Sequence, residues 1–264
     1  MAFGNADSYA RFMGRFSEPL APLFADLVPV PPEGQVLDVG CGPGVLTAEL
    51  AARYGAERVL AIDPTPGFVA AARARLPEVD VREGSAEQLP YADDAFAATL
   101  AQLVVHFMKD PARGVAEMVR VTRPGGVVAA TVWDHGGGRG PLSQFWSAVD
   151  ELDPGARDGD RLSTGSREGD LTRLFGAAGL VDVEPGELAV TIRLESFDTW
   201  WAPYEEPAGS AGDYLATRTP DQVAELKELL RERLPDGPFD LTVWTWTAIG
   251  RVPGTGSGKL TPGA

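Results

Sequence analysis

A single cysteine, Cys41, stands in 264 residues, which excludes an internal disulfide and any metal site built from clustered cysteines. No apolar run approaches the ~20 residues of a membrane-spanning helix. The N-terminus has neither the basic stretch nor the apolar core of a signal peptide. Basic residues are also few. Lys and Arg total 23 against 38 Asp and Glu, a formal charge of −15, and such a field repels a phosphate backbone. These absences predict a cytoplasmic enzyme that works away from membranes and nucleic acid; a small-molecule partner and a monomer or homodimer are the accompanying expectations.

The most informative segment runs from residue 36 to 44, Val-Leu-Asp-Val-Gly-Cys-Gly-Pro-Gly. An apolar run (Val36, Leu37, Val39) stops at Gly40, Gly42 and Gly44, and a helical pattern follows at once, which reads as a buried strand turning into a helix. Glycine permits positive φ and lets a ligand approach the main chain, and the helix start adds unpaired N–H groups. Three glycine loops compete for this pattern. The dinucleotide fingerprint needs glycine at its sixth position, where this chain has Val45, so a nicotinamide oxidoreductase is disfavoured. A phosphate loop needs Gly-Lys followed by Ser or Thr, and the nearest match, Gly258-Lys259-Leu260, ends in Leu and follows no strand. What remains is Asp-x-Gly-x-Gly-x-Gly beginning at Asp38. It resembles motif I of the class I S-adenosylmethionine-dependent methyltransferases, whose glycine turn lies beneath the amino acid part and ribose of the cofactor.

Three further segments carry the resemblance. Arg58-Val59-Leu60-Ala61-Ile62-Asp63 reads as a second buried strand ending in a carboxylate 19 residues beyond Gly44. An acid there accepts from a ribose diol, though Asp63-Pro64-Thr65 also reads as a helix start. Gly84-Ser85-Ala86-Glu87-Gln88-Leu89-Pro90-Tyr91 is similar to a segment of the ubiquinone- and menaquinone-type methyltransferases. The resemblance puts Ser85 where an adenine-binding acid is common, and leaves the backbone of Ala86 and the side chain of Glu87 to share that contact. Arg123-Pro124-Gly125-Gly126 closes a helix before an apolar strand, and matches the family at that position. An N-terminal Tyr9-x-x-Phe12-Met13-Gly14-Arg15 resembles a subgroup of these enzymes, which implies that Tyr9 and Arg15 close over the cofactor, Arg15 pairing its carboxylate. Gln102 is expected near the amino acid end, and Cys41 reads as a small residue under the ligand.

Strands near 35–40, 58–63, 79–83, 97–102 and 127–133 alternate with helices near 44–54, 66–75 and 111–122, which predicts a doubly wound α/β sheet, Rossmann-like, with helices on both faces. Segments 181–194 and 241–250 resemble the family's last two strands, implying seven strands in the order 3-2-1-4-5-7-6 with the seventh antiparallel. The expected organisation is an N-terminal helical lid (1–30), a cofactor-binding core (31–134), helical cap insertions with the last strands (135–252), and a disordered Gly/Pro/Ser/Thr-rich tail (253–264). The glycine-rich loop after Asp134 reads as flexible. Thr219 to Leu234 reads as an amphipathic helix with an N-cap at Thr219.

Ligands of an open parallel sheet lie beyond the carboxyl ends of its strands. An acceptor over strands four and five would meet Phe16, Trp146, Trp200, Trp201 and Tyr204; these form either a pocket wall for a partly apolar molecule or the cap's own core. His106 and His135, the two histidines, both fall at strand ends and are the candidates for removing a proton at neutral pH. The resemblance implies a small-molecule O-, N- or C-methyltransferase using S-adenosylmethionine without a metal, with secondary metabolism as the expected setting. The alternative is a protein that binds the same cofactor without transferring methyl.

Overall fold

The computed structural model describes residues 10–156, 165–206 and 209–254; Tyr9 and residues 255–264 of the tail lie outside the described residues. Seven strands form one sheet in the order β3-β2-β1-β4-β5-β7-β6. Strands β1 (Gln35–Val39), β2 (Val59–Asp63), β3 (Asp80–Glu83), β4 (Phe96–Gln102) and β5 (Thr122–Trp133) pair in parallel. Strand β7 (Phe239–Arg251) inserts antiparallel between β5 and β6 (Val181–Leu194). The order expected from the motifs is therefore the order observed.

The strands' period of two explains the layering. Leu37, Val39, Leu60 and Ile62 point to one face and pack with Val115 and Met118 of α4 (Pro111–Val121) and Phe175 of α6 (Asp170–Ala177). Val36, Val59 and Ala61 point to the other, against Phe24 of α1 (Arg15–Leu27), Leu50 of α2 (Val45–Tyr54) and Val69 of α3 (Pro66–Arg75). Each such aliphatic side chain contributes roughly 1.5–3 kcal/mol by leaving water. The order in which strands are added switches sides between the parallel neighbours β1 and β4, which opens a crevice at their carboxyl ends.

A separate aromatic core holds the cap together. It joins α5 (Ser143–Leu152), α7 (Phe197–Trp201), α8 (Gly209–Ala216) and α9 (Pro220–Arg233). Thr219 caps α9 through a reciprocal capping box with Gln222, and Pro220 occupies its first turn, as the sequence predicts. The ladder between β5 and β7 ends at Trp133↔Thr245, whereas β6 and β7 stay paired to Leu194↔Phe239. Past Trp244 these two strands therefore run on as a two-stranded ribbon that leads into the cap.

Arg123-Pro124-Gly125-Gly126 follows the end of α4, as expected, and forms a bulge in β5 between the ladder pairs Phe96↔Thr122 and Ala98↔Val127. The Gly125 N–H donates to Val252 C=O at 2.9 Å, and the Val252 N–H donates back to Gly126 C=O at 3.0 Å. The loop after β5 is pinned, not flexible. Buried Asp134 accepts from the Gly137 N–H (2.7 Å) and Arg139 Nε (2.5 Å). Arg139 also reaches Glu187 and lies over the Trp246 ring at 4.9 Å.

Candidate active site

The floor of the site is the loop between β1 and α2. Gly40, Gly42 and Gly44 all have positive φ (71°, 53° and 86°), backbone that a side-chain-bearing residue adopts only under strain. Their surroundings differ. A Cβ on Gly40 would lie 2.5 Å from both methyls of Val104, while one on Gly42 would meet nothing within 4 Å. Gly40 therefore serves packing, and Gly42 borders open space. The loop is fastened to β2: the Gly40 and Cys41 N–H groups donate to Ile62 C=O at 2.7 and 3.0 Å. The Gly42 N–H donates to Asp63 at 2.9 Å.

Asp63 thus already acts within the protein. Its second oxygen accepts from the Thr65 N–H at 2.8 Å, organising the start of α3 behind the exposed Pro64. Burial raises its pKa, and the two backbone donors work against that rise. Asp38 lies deeper. One oxygen accepts from Thr47 Oγ1 at 2.6 Å and the other, Oδ1, is buried without a partner. Burial pushes its pKa up to about 7, opposed by the Thr47 hydrogen bond and helped by the charge of Asp63. The Cys41 thiol is held protonated by burial and by the same two carboxylates, the reverse of what an activated nucleophile requires.

Helix α1 roofs this floor. Gln102, at the end of β4, donates from Nε2 to Ser17 C=O at 3.1 Å. The cavity enclosed between Ser17, Asp38, the glycine loop and Gln102 is about 30 Å³, about the space of one water. Three lining residues carry buried acceptor atoms with no partner: Ser17 Oγ, Asp38 Oδ1 and Gln102 Oε1. Two residues before Ser17, Arg15 has Nε and Nη2 buried and unpaired, its guanidinium 5.0 Å from the Phe16 ring centroid. Burial lowers its pKa, only partly offset by Tyr204. Unpaired buried groups cost about 1–3 kcal/mol each, more when charged, so the three residues around this cavity, and Arg15 nearby in sequence, are owed polar partners.

The two histidines meet beyond the carboxyl ends of β4 and β5. Their ring centroids are 5.5 Å apart, edge to face. His106 is a partly exposed residue whose two ring nitrogens are both buried and unpartnered. Burial, with a smaller contribution from His135, holds its pKa well below the usual imidazole range. The preceding Leu103 has φ of 64°, an unfavourable left-handed turn for a bulky residue. It ends β4 and sends the chain into the short turn Val105–Phe107 that carries His106.

Other expected site residues have more structural roles. The Glu87 carboxylate accepts from the Ser85 hydroxyl and from the Lys109 N–H at 2.8 Å, so it ties the loop after β3 to the loop before α4. Ser85 and Ala86 lie on that loop, with Ala86 packed into the core. Phe16, Trp146, Trp200, Trp201 and Tyr204 are all at most 4% exposed. Four of them belong to the cap core, where Tyr204 stacks on Trp201 and Phe145, while Phe16 packs edge-on against Trp133. Of the two readings open for these aromatics, packing accounts for the buried faces. Sequence reasoning missed Ser17, Thr47 and Arg139. Thr47 alone had a usable signal: it lies one helical turn inside a motif-bearing helix.

The methyltransferase domain family matches residues 37–130, from β1 into β5. The uncharacterized protein Rv1405c of Mycobacterium tuberculosis is 30% identical over 244 residues, 88% of this chain and 87% of that protein. The chain belongs to the class I S-adenosylmethionine-dependent methyltransferases. Trans-aconitate 2-methyltransferase of Methylobacterium nodulans is 35% identical over 138 residues, about half of each chain (51% and 52%). The fold also matches phosphoethanolamine N-methyltransferase 2 of Haemonchus contortus, with a TM-score of 0.56 at 16% identity over 94% of this methyltransferase and 59% of that chain. No helix among the described residues of this methyltransferase is long and apolar enough to cross a membrane.

Proposed function

We propose that this chain binds S-adenosylmethionine at the crevice between β1 and β4 and methylates a small molecule approaching from the histidine side. The observation that carries the reading is the convergence of unpartnered Ser17 Oγ, Asp38 Oδ1 and Gln102 Oε1 on one cavity floored by Gly42. Three acceptors suit an ammonium group, and the unpaired guanidinium of Arg15 suits a carboxylate; together they complement the amino acid end of the cofactor. Asp63, already oriented by Gly42 and Thr65, retains lone pairs for a ribose diol. Ser85 and Ala86 border the place for the base. When bound, S-adenosylmethionine supplies a methyl group on a sulfonium.

Gly42 lets the main chain approach the ligand, and α1 acts as a lid that excludes water once closed. Admission requires the Gln102–Ser17 hydrogen bond to open, since the closed cavity is far smaller than the cofactor. His106 stays neutral at physiological pH, so a ring nitrogen is free to take a proton from an acceptor, with His135 beside it to orient or receive. The methylated atom is O, N or C according to the acceptor.

Calorimetric titration of S-adenosylhomocysteine tests the site, with NAD as the control. Micromolar-range binding is expected, weakened roughly tenfold or more in Asp63→Ala. A folded wild-type protein that binds NAD and not S-adenosylhomocysteine would refute the reading.

A further inference from the structure

The aromatic residues of the cap are buried against one another, and a second, more open cavity offers polar groups instead. The larger cavity at the carboxyl end of β5 is polar. About 450 Å³ lies between the pinned loop after β5, helix α5 and Arg167, lined by His135, Ser143, Ser147, Asp150 and Arg167. Ser143, Ser147 and Asp150 are spaced i, i+4, i+7 on α5, which sets them in one stripe along its face. That stripe is a hydrogen-bonding wall on a helix whose opposite face, Phe145, Trp146 and Val149, is buried in the cap.

We infer that this cleft is the acceptor site, and that it takes a small molecule bearing a carboxylate or phosphate group, gripped by Arg167. The inference rests on the methyltransferase reading and adds the acceptor's chemistry to it. Three observations lead to it. First, His135 lines the cleft and its ring meets that of His106 at 5.5 Å, so the cleft lies one ring away from the proposed proton acceptor. Second, the stem of Arg167 lies against Gly136, where a Cβ would sit 2.3 Å from its Cγ; the glycine admits the arginine to this wall. Third, the Arg167 backbone N–H donates to Asp170, while its guanidinium makes no ion pair among the described residues. Asp150, on the facing wall, already has a contact of its own. In a chain of net charge −15, an exposed arginine without an ion pair among the described residues, at the rim of a polar cleft, is a selective feature. Its planar fork matches two oxygens of an oxyanion better than any neutral group.

Thermal denaturation of the full chain with benzoate, phenyl phosphate and benzamide separates charge from shape, because the three share one ring. Succinate and succinamide repeat the comparison without the ring. At least one anion should raise Tm while its amide does not, and Arg167→Gln should weaken that anion's apparent affinity roughly tenfold. Arg167→Lys should restore part of it. Benzoate against phenyl phosphate tells which oxyanion is preferred. Affinity for S-adenosylhomocysteine should be the same in wild type and both variants. The inference is overturned if no anion stabilises the protein, if the amides do so equally, or if Arg167→Gln responds like wild type. The titrations are run with and without S-adenosylhomocysteine. Failure of that ligand to bind would count against the methyltransferase reading, whereas the anion series on ligand-free protein would still decide the cleft.

Discussion

The rings of His106 and His135 meet edge to face with centroids 5.5 Å apart, one beyond the end of β4 and the other beyond the end of β5. Neither the scarcity of histidine nor the strand pattern alone brings them together; the parallel pairing of β4 with β5, in register from Ala98↔Val127 to Gln102↔Thr131, does.

That contact has a pH signature. The folded pKa of His106 lies well below the ordinary value of 6.5 because of burial and then His135. Below that ordinary value the unfolded chain binds a proton that the folded chain refuses, so stability falls with pH in this window. Urea unfolding followed between about pH 7 and pH 5 should show a steeper loss for wild type than for His106→Asn. Equal slopes would mean that His106 is solvated and titrates normally. With an acceptor in hand, the same variant should lower kcat by roughly 10²–10⁴-fold and leave the cofactor affinity unchanged.

Asp38 predicts the opposite sign. Its folded pKa is raised to about 7 by burial, so its contribution to stability is present at low pH and fades as pH rises through about 7. Binding of an ammonium group at its unpartnered oxygen requires the ionised form. Calorimetry on either side of pH 7 should therefore find S-adenosylhomocysteine bound more weakly on the acidic side. Asp38→Asn should bind weakly throughout, with that dependence removed. A pH-independent wild-type affinity would remove Asp38 from the ligand site.

The glycines of the loop should separate folding from binding. Gly40→Ala forces a methyl to 2.5 Å from Val104 and adds left-handed strain, so Tm should drop by several degrees, matching about 1–3 kcal/mol. Gly42→Ala meets open space and should cost only about 1 kcal/mol of stability, while sharply weakening S-adenosylhomocysteine. The reverse pattern would place the ligand elsewhere on the loop.

The parts of this site that were legible in sequence are those written in neighbouring residues. The run from Val36 to Gly44 encodes its strand, its turn and its helix start locally, and Asp63 ends a strand that pairs with it directly. What was illegible depends on distant partners. Gln102 and Ser17 meet across 85 positions, and Arg139 finds Glu187 across 48, so neither pairing leaves a mark in spacing. Arg123 to Gly126 forms a bulge whose hydrogen bonds go to Val252, far along the chain, so that pairing leaves no local mark. The aromatics of the cap were ambiguous for another reason. Composition shows that Trp200 and Tyr204 are large, but only packing shows that each is spent on the other, at 4.8 Å between centroids.

The ribbon formed by β6 and β7 beyond Trp244 has a consequence for how such an enzyme changes. It is the stalk that carries α7, α8 and α9, and the cap core they form with α5 is distinct from the two cores that sandwich the sheet. The head still touches the N-terminal segment through Tyr204, whose ring meets Phe12 at 4.8 Å, so substitutions at that seam reach the proposed cofactor lid, whereas those deeper in the head stay within its own aromatic core.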